Sequence, residues 1–246
     1  MKKNAITFDN GNHAVVVTAP RDTDAQTILE ALAFAQPRGV IMVFGGAKEL
    51  DDSRKARLTE LFTDAIAPAA AELGALIIDG GTQSGVMAMM GEAFARDGQG
   101  SQLLGIAPAG KVTYPGGPSD AGIVDGAPLE PNHSHFVLVE SDEWGGETGT
   151  MFKLAAALNV PVATMLINGG QIAGGEASQS VRNGWQLLVA EGSGRFADEL
   201  SAAVRDGPFA KSVEVSEIAR SGRVALFHVD DPAEKLRDEL RRMLRS

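Results

Sequence analysis

Five short stretches carry the residue types from which a phosphate site is built. They are Phe44-Gly45-Gly46-Ala47-Lys48, Asp79-Gly80-Gly81-Thr82-Gln83-Ser84-Gly85, Trp144-Gly145-Gly146-Glu147-Thr148-Gly149-Thr150, Asn168-Gly169-Gly170 and Glu191-Gly192-Ser193-Gly194-Arg195. Glycine lets the backbone turn with positive φ and come close to a ligand. A helix that starts just beyond such a turn aims free N–H groups and its positive dipole end at an anion. Thr82, Ser84, Thr148 and Thr150 add hydroxyls that bond phosphate or ribose. Arg195 could hold phosphate bidentately; its alternative is an ion pair with Asp198 or Glu199 on its own helix. No stretch matches GxxxxGK[ST] or GxGxxG, so the common mononucleotide and hydride-transfer readings lose support.

Other side chains near these turns have two readings each. Glu147 could activate water or stabilise an oxocarbenium-like centre as a catalytic acid, or simply bond backbone N–H groups at a helix start. His133 and His135 are two apart, which on a strand would turn both to one side, toward a ligand. No cysteine or acid cluster completes a metal site around them, and none is expected. Trp144 could stack on a base or pack structurally. Met87, Met89 and Met90 read as core.

The elements that must position these residues recur with a simple rhythm. Apolar, β-branched runs at Ala14–Thr18, Val40–Phe44, Ala75–Ile78, Leu103–Ala107, Phe136–Val139, Val162–Ile167, Leu187–Val189 and Val224–Val229 predict strands covered on both faces. Helical spacing links them at Leu58–Leu73, Val86–Phe94 and Leu236–Leu244, the last opened by Asp231 as cap and Pro232 in the first turn. Asp22-Thr23-Asp24 begins a further helix that ends near Pro37. The alternation predicts an α/β, Rossmann-like, doubly wound and mostly parallel sheet with helices on both faces. Right-handed crossovers then carry all five glycine turns to one edge, which structural turns have no reason to favour.

We read residues 1–246 as one domain, with 1–12 as an added edge strand and 109–134 as a long Gly/Pro-rich connection that is either a lid or disordered. The net charge of −10 argues against a bulk nucleic-acid footprint. The absence of cysteine fits a reducing, cytoplasmic setting. No apolar run reaches the length of a membrane span and no secretory signal is evident, so a soluble chain without membrane partners is expected.

Four segments in order give a more specific pointer: Asp79–Met87, Leu129-Glu130-Pro131-Asn132-His133-Ser134-His135-Phe136, Val162–Gly170 and Glu191–Asp198. Together, over about residues 39–205, they resemble the LSDAT branch of the SLOG superfamily. That superfamily joins the "Lonely guy" phosphoribohydrolases, the DNA-processing protein DprA and the N-terminal region of TRPM channels. The Pro-Asn-His-Ser-His-Phe and Gly-Ser-Gly-Arg segments are most similar to the TRPM version. The resemblance implies a Rossmann-like fold and a site for a nucleotide or an NAD- or ADP-ribose-derived signal. It implies no required cofactor, and by analogy a homodimer or higher homo-oligomer. The alternative it offers is nucleotide N-glycosidase activity, with single-stranded DNA binding like that of DprA third. Where the "Lonely guy" motif PGGxGTxxE ends in its catalytic acid, however, this chain reads Gly145-Gly146-Glu147-Thr148-Gly149-Thr150-Met151-Phe152-Lys153, with an extra residue, no proline and a lysine at the acid's place.

Overall fold

The computed structural model describes the chain except residues 47, 98–101, 118–122, 124, 208–211 and 246. Its strands are β1 (Lys2–Thr7), β2 (His13–Ala19), β3 (Gly39–Gly45), β4 (Ala75–Asp79), β5 (Gln102–Pro108), β6 (Val112–Thr113), β7 (Ala127–Pro128), β8 (His135–Val139), β9 (Val162–Ile167), β10 (Gln186–Glu191) and β11 (Val224–His228). Nine of them form one sheet in the order β1-β2-β8-β5-β4-β3-β9-β10-β11, while β6 and β7 pair separately. Only β1 runs antiparallel within the large sheet, along β2 at the edge. The helices are α1 (Ala25–Leu32), α2 (Asp52–Leu61), α3 (Ala67–Leu73), α4 (Gly85–Asp97), α5 (Thr148–Ala157), α6 (Gln171–Arg182), α7 (Arg195–Asp206), α8 (Val213–Arg220) and α9 (Ala233–Leu244). The expected doubly wound, mostly parallel α/β architecture is present, and all eight apolar runs are strands.

Period-two alternation explains the two-sided core. Along β3, Val40, Met42 and Phe44 enter the layer packed by α1, α5, α6, α7 and α8, whereas Ile41 and Val43 enter the layer packed by α2, α3, α4 and α9. A third apolar cluster, with Phe8, Val16, Phe136 and Leu138, is covered by Val112 and Leu129 from the connection after β5. That connection is tied to the β4–α4 turn: Gln83 N–H donates to Pro128 O at 2.8 Å and Glu130 N–H to Gly81 O at 2.9 Å. The part of the 109–134 expectation that falls on 118–122 and 124 lies outside the described residues.

Three local expectations are corrected by backbone chemistry. The helix read across Leu58–Leu73 is interrupted by a π-helical turn at Phe62–Ile66. Pro68 has no N–H for the carbonyl of Asp64, and the Arg237 guanidinium donates to that oxygen instead. Helix α1 starts as read, with Asp24 accepting from Thr27 N–H at 3.0 Å. It stops at Leu32, not near Pro37, because Ala33 turns left-handed at φ 57°. For α9, Pro232 itself occupies the cap position, and the Asp231 carboxylate pairs with Lys235 at 2.5 Å.

Chain direction in the sheet fixes where a ligand can enter. From β3 the chain steps outward through β4, β5 and β8, then returns to the far side of β3 and continues β9-β10-β11. The loops leaving β3 and β9 therefore diverge, and a crevice opens between them beyond the strands' C-terminal ends.

Candidate functional site

A cleft of about 480 Å³ occupies that crevice. It is lined from five turns at the strands' C-terminal ends: Gly45 and Gly46 after β3, Gly80 and Thr82 after β4, Trp144 and Glu147 after β8, Gly170 and Gln171 after β9, and Arg195 after β10. Gly45 is required by its neighbour. Its φ is +142°, and a Cβ there would lie 1.9 Å from the carbonyl oxygen of Ile167 across the β3–β9 pair. The two diverging loops can thus approach only with glycine at this point.

The cleft has three chemically distinct parts. Val43, Phe44, Met87, Met151 and Ile172 make an apolar wall, with Trp144 beside them. Met87 was read as core, and it does pack over Gly80, but it also faces the cleft. A cationic corner is formed by Arg195, whose guanidinium nitrogen lies 3.0 Å from where a Gly170 Cβ would be, at the head of α6. Neither Asp198 nor Glu199 is its partner: Asp198 accepts from Gly192 N–H at 2.6 Å, and the acid nearest Arg195 is Glu49, at 3.8 Å. Arg195 itself is left-handed at φ 50°, a conformation that costs a side-chain-bearing residue roughly 1–2 kcal/mol.

The third part is acidic. Glu147 and Glu176 both line the cleft and are only 6% and 7% exposed. Burial pushes the Glu147 carboxyl upward, against its own and the Gly145 N–H and the Arg21 charge. Burial likewise pushes Glu176 up to about 8, reinforced by Glu147 and partly offset by a hydrogen bond with Thr148. Glu147 makes no side-chain cap to α5, and its Oε2 is buried without a hydrogen-bond partner among the described residues. Its carboxyl still meets the Gly145 and Glu147 N–H groups where α5 begins, as its second reading expects, and it also shares the cleft with a second acid. Glu176 and Arg21 escaped the sequence reading. A signal for Glu176 existed: Ala173, Glu176, Ala177 and Ser180 form an i, i+3, i+4, i+7 buried stripe with an acid inside it.

The remaining candidates are placed around the cleft rather than in its wall. Gly81, at φ +63°, packs its Cα against Gly105, where a Cβ would come within 2.6 Å. Ser84 bonds Thr82 through their hydroxyls at 3.0 Å, and Gly85 opens α4. Gly145 abuts Ile172, and Gly146 abuts Ser141 and Arg21. Thr148, Gly149 and Thr150 form the first turn of α5, with Thr150 buried. Asn168 and Ser193 lock two turns together: Asn168 N–H donates to Ser193 Oγ at 2.7 Å, and Asn168 Nδ2 to Ser193 O at 2.8 Å. Gly169, Gly192 and Gly194 supply the positive φ values these turns need. Ala47, within the first glycine stretch, lies outside the described residues.

The two histidines do not share a side. Strand β8 begins at His135, so His133 belongs to the preceding turn. His135, at the strand's opposite end from the cleft, meets the edge of Phe34 and bonds Ser134 Oγ at 2.9 Å. Burial, then Lys3, hold its pKa low. His133 is fully buried between two carboxylates: Nδ1 bonds Glu130 Oε2 at 2.7 Å and Nε2 bonds Asp79 Oδ1 at 2.9 Å. Burial opposes its charge, yet Asp79 and Glu130 together outweigh burial and raise it to about 9. Its two nitrogens bond different carboxylates, so this trio clasps the β4 turn to the turn before β8.

Among the described residues no helix is long and apolar enough to cross a membrane. Sequence comparison gives the context of this geometry. The chain is 31% identical over 226 residues to transient receptor potential cation channel subfamily M member-like 2 of Nematostella vectensis, covering 74% of this chain and 14% of that protein. It is 27% identical over 224 residues to subfamily M member 2 of Mus musculus, covering 75% and 15%. With subfamily M member 7 of Homo sapiens it is 27% identical over 236 residues, covering 80% and 12%. The chain thus spans about an eighth to a seventh of the length of these relatives. Residues 38–237 match the family described as "SLOG in TRPM, prokaryote", and the chain belongs to that family.

Proposed function

We propose that this chain is a ligand-binding or sensing domain for a nucleotide, of the NAD or ADP-ribose type. The observation that carries the reading is the meeting of three surfaces in one switch-point cleft: an apolar wall, a buried acid pair and a guanidinium at a helix head. A base needs the first, a ribose hydrogen-bonds to the second, and a phosphate rests on the third. In this arrangement Arg195 and the Gly170–Gln171 N–H groups take the phosphate, joined by the turns at Gly45–Gly46 and Gly80–Thr82. The base lies along Phe44, Met87 and Met151, below Trp144 and Ile172. Single-stranded DNA binding fits less well, because the chain is acidic and its cleft offers one lining arginine.

The test is a melting-temperature series with AMP, ADP, ADP-ribose and NAD, followed by chromatography of each mixture. A nucleotide that raises the melting temperature and is recovered intact supports the sensor. Release of free base, lost in Glu147→Gln, would convert the reading to an N-glycosidase. No shift with any of the four would end it. A homo-oligomer remains part of the proposal, tested by light scattering with and without the stabilising nucleotide.

A further inference from the structure

The acid pair poses a problem for any anionic ligand. Two carboxyl groups at the buried end of a cleft repel phosphate, and each must meet a hydrogen-bonding partner once water is displaced. Glu147 Oε2 already lacks a partner. The groups facing the pair are Arg21 from the turn after β2, the Thr148 hydroxyl at the start of α5, and Gln171 and Arg195 across the cleft. The charged groups among them are both cations, and none is a further acid. A group that suits the pair therefore donates hydrogen bonds, carries no negative charge and reaches two acids at once.

We propose that Glu147 and Glu176 form a one-proton clamp for the vicinal 2′,3′-diol of a ribose, holding the ligand only while a single proton is shared between the two carboxyl groups. This rests on the nucleotide reading above and adds an orientation: the sugar edge enters acid-first, and the phosphate is left at Arg195. With one proton, the pair offers a carboxylate that accepts from one hydroxyl and a carboxylic acid that donates to the other. Removing that proton sets two buried carboxylates side by side and turns the clamp against a phosphate-bearing ligand. The raised affinity of Glu176 for its proton keeps the single-proton state present at neutral pH.

The experiment is calorimetric titration of the full chain with AMP and ADP, and with their 2′,3′-dideoxy counterparts, from pH 7 to pH 9.5. The phosphate's second ionisation lies near pH 6 and is complete early in that range, where it adds negative charge that favours Arg195, so it cannot produce a loss of binding toward pH 9.5. The expected result is binding of the ribonucleotide at least tenfold tighter than of its dideoxy counterpart, falling at least tenfold toward pH 9.5. Glu176→Gln keeps a donor but removes the titrating group, so whatever binding it shows no longer changes with pH. Equal binding of ribo and dideoxy forms overturns the clamp, as does a flat profile in the native chain. A pH loss that persists in Glu176→Gln assigns the titration to another group, such as His133, and also overturns it. If AMP and ADP fail while ADP-ribose or NAD stabilises the chain, the clamp falls and the nucleotide reading stands. If all four fail, both fall.

Discussion

Two pairs of buried carboxylates lie near the C-terminal edge of this sheet, and the fold treats them oppositely. Asp79 and Glu130 have His133 between them, with further N–H donors from Gly81 at 2.7 Å and Asn132 at 2.9 Å. Glu147 and Glu176 instead line a cleft, with the Arg21 charge near Glu147 but no imidazole bridging the two acids; one oxygen of each pair, Asp79 Oδ2 and Glu147 Oε2, is buried without a partner among the described residues. The first pair spends its charge within the protein and stabilises a turn. The second is held in a state that favours protonation, a perturbation of the kind that clusters at functional sites. Buried acids are thus informative by what faces them: a pair closed over a histidine reports architecture, and a pair lining a cleft marks where a ligand would sit.

The contrast is broken most directly at His133. Replacing it by alanine leaves two carboxylates uncompensated in the interior, and removing one partner of a buried ionic cluster costs about 3–5 kcal/mol. Urea unfolding of His133→Ala at pH 7 is expected to show that loss. A change below about 1 kcal/mol would mean that the clasp is solvated and that the comparison is wrong.

The same comparison has a pH signature. His133 is held at about 9 against an ordinary 6.5, so the native state keeps a proton that the unfolded chain releases. Its contribution is complete below pH 6.5 and is lost as pH rises through 9, a fall of about 3 kcal/mol. Glu176, held at about 8 against 4.5, also favours the protonated native state. Its loss runs through the earlier window, from 4.5 to 8. Stability measured from pH 4.5 to 9.5 should therefore decline throughout, most steeply between 6.5 and 8 where the two windows overlap. Glu176→Gln removes the decline below 6.5 and His133→Gln the decline above 8. If both variants flatten the same part of the profile, the two clusters are one coupled system.

Glu176→Gln should also separate the pairs by sign. Where His133→Ala destabilises, an uncharged amide in place of Glu176 relieves the acid–acid repulsion, and a gain of about 1–2 kcal/mol at pH 8 is expected. Thermal denaturation reads this directly. A loss of the same size would show that Glu176 is as well satisfied as Glu130.

Much of this was legible in the chain, and the exceptions share a cause. Runs such as Val40–Phe44 and Val162–Ile167 read as strands because both faces of a parallel sheet are covered, so apolar residues are continuous. The glycine turns read as an edge because right-handed crossovers leave no other place for them. What escaped depends on long-range approach. Glu176 meets Glu147 only because the loops after β8 and β9 converge. The same-side expectation for His133 fails at a strand boundary, since β8 begins two residues beyond it and His133 lies in the turn before. Its partner Asp79 comes from another strand. Pro68 was visible, but the π-turn depends on Arg237, far along the chain, reaching the Asp64 carbonyl.

Arg195 carries the smallest expected change in stability and the sharpest division between folding and binding. Its pairing with Glu49 spans 3.8 Å between side chains that are 32% and 65% exposed, a type of contact worth at most about 1 kcal/mol. Against that stands its left-handed backbone at φ 50°, which glycine adopts without penalty. Arg195→Gly should therefore leave unfolding stability within about 0.5 kcal/mol of the native chain, because the two effects offset. The same substitution removes the guanidinium from the head of α6, so ADP affinity should fall at least tenfold, the loss of roughly one charge-assisted bond. If stability falls by more than about 2 kcal/mol, the guanidinium is holding Gly170 and the α6 turn in place. Arg195 would then join His133 as part of the architecture, and the acid pair alone would be left to mark the ligand.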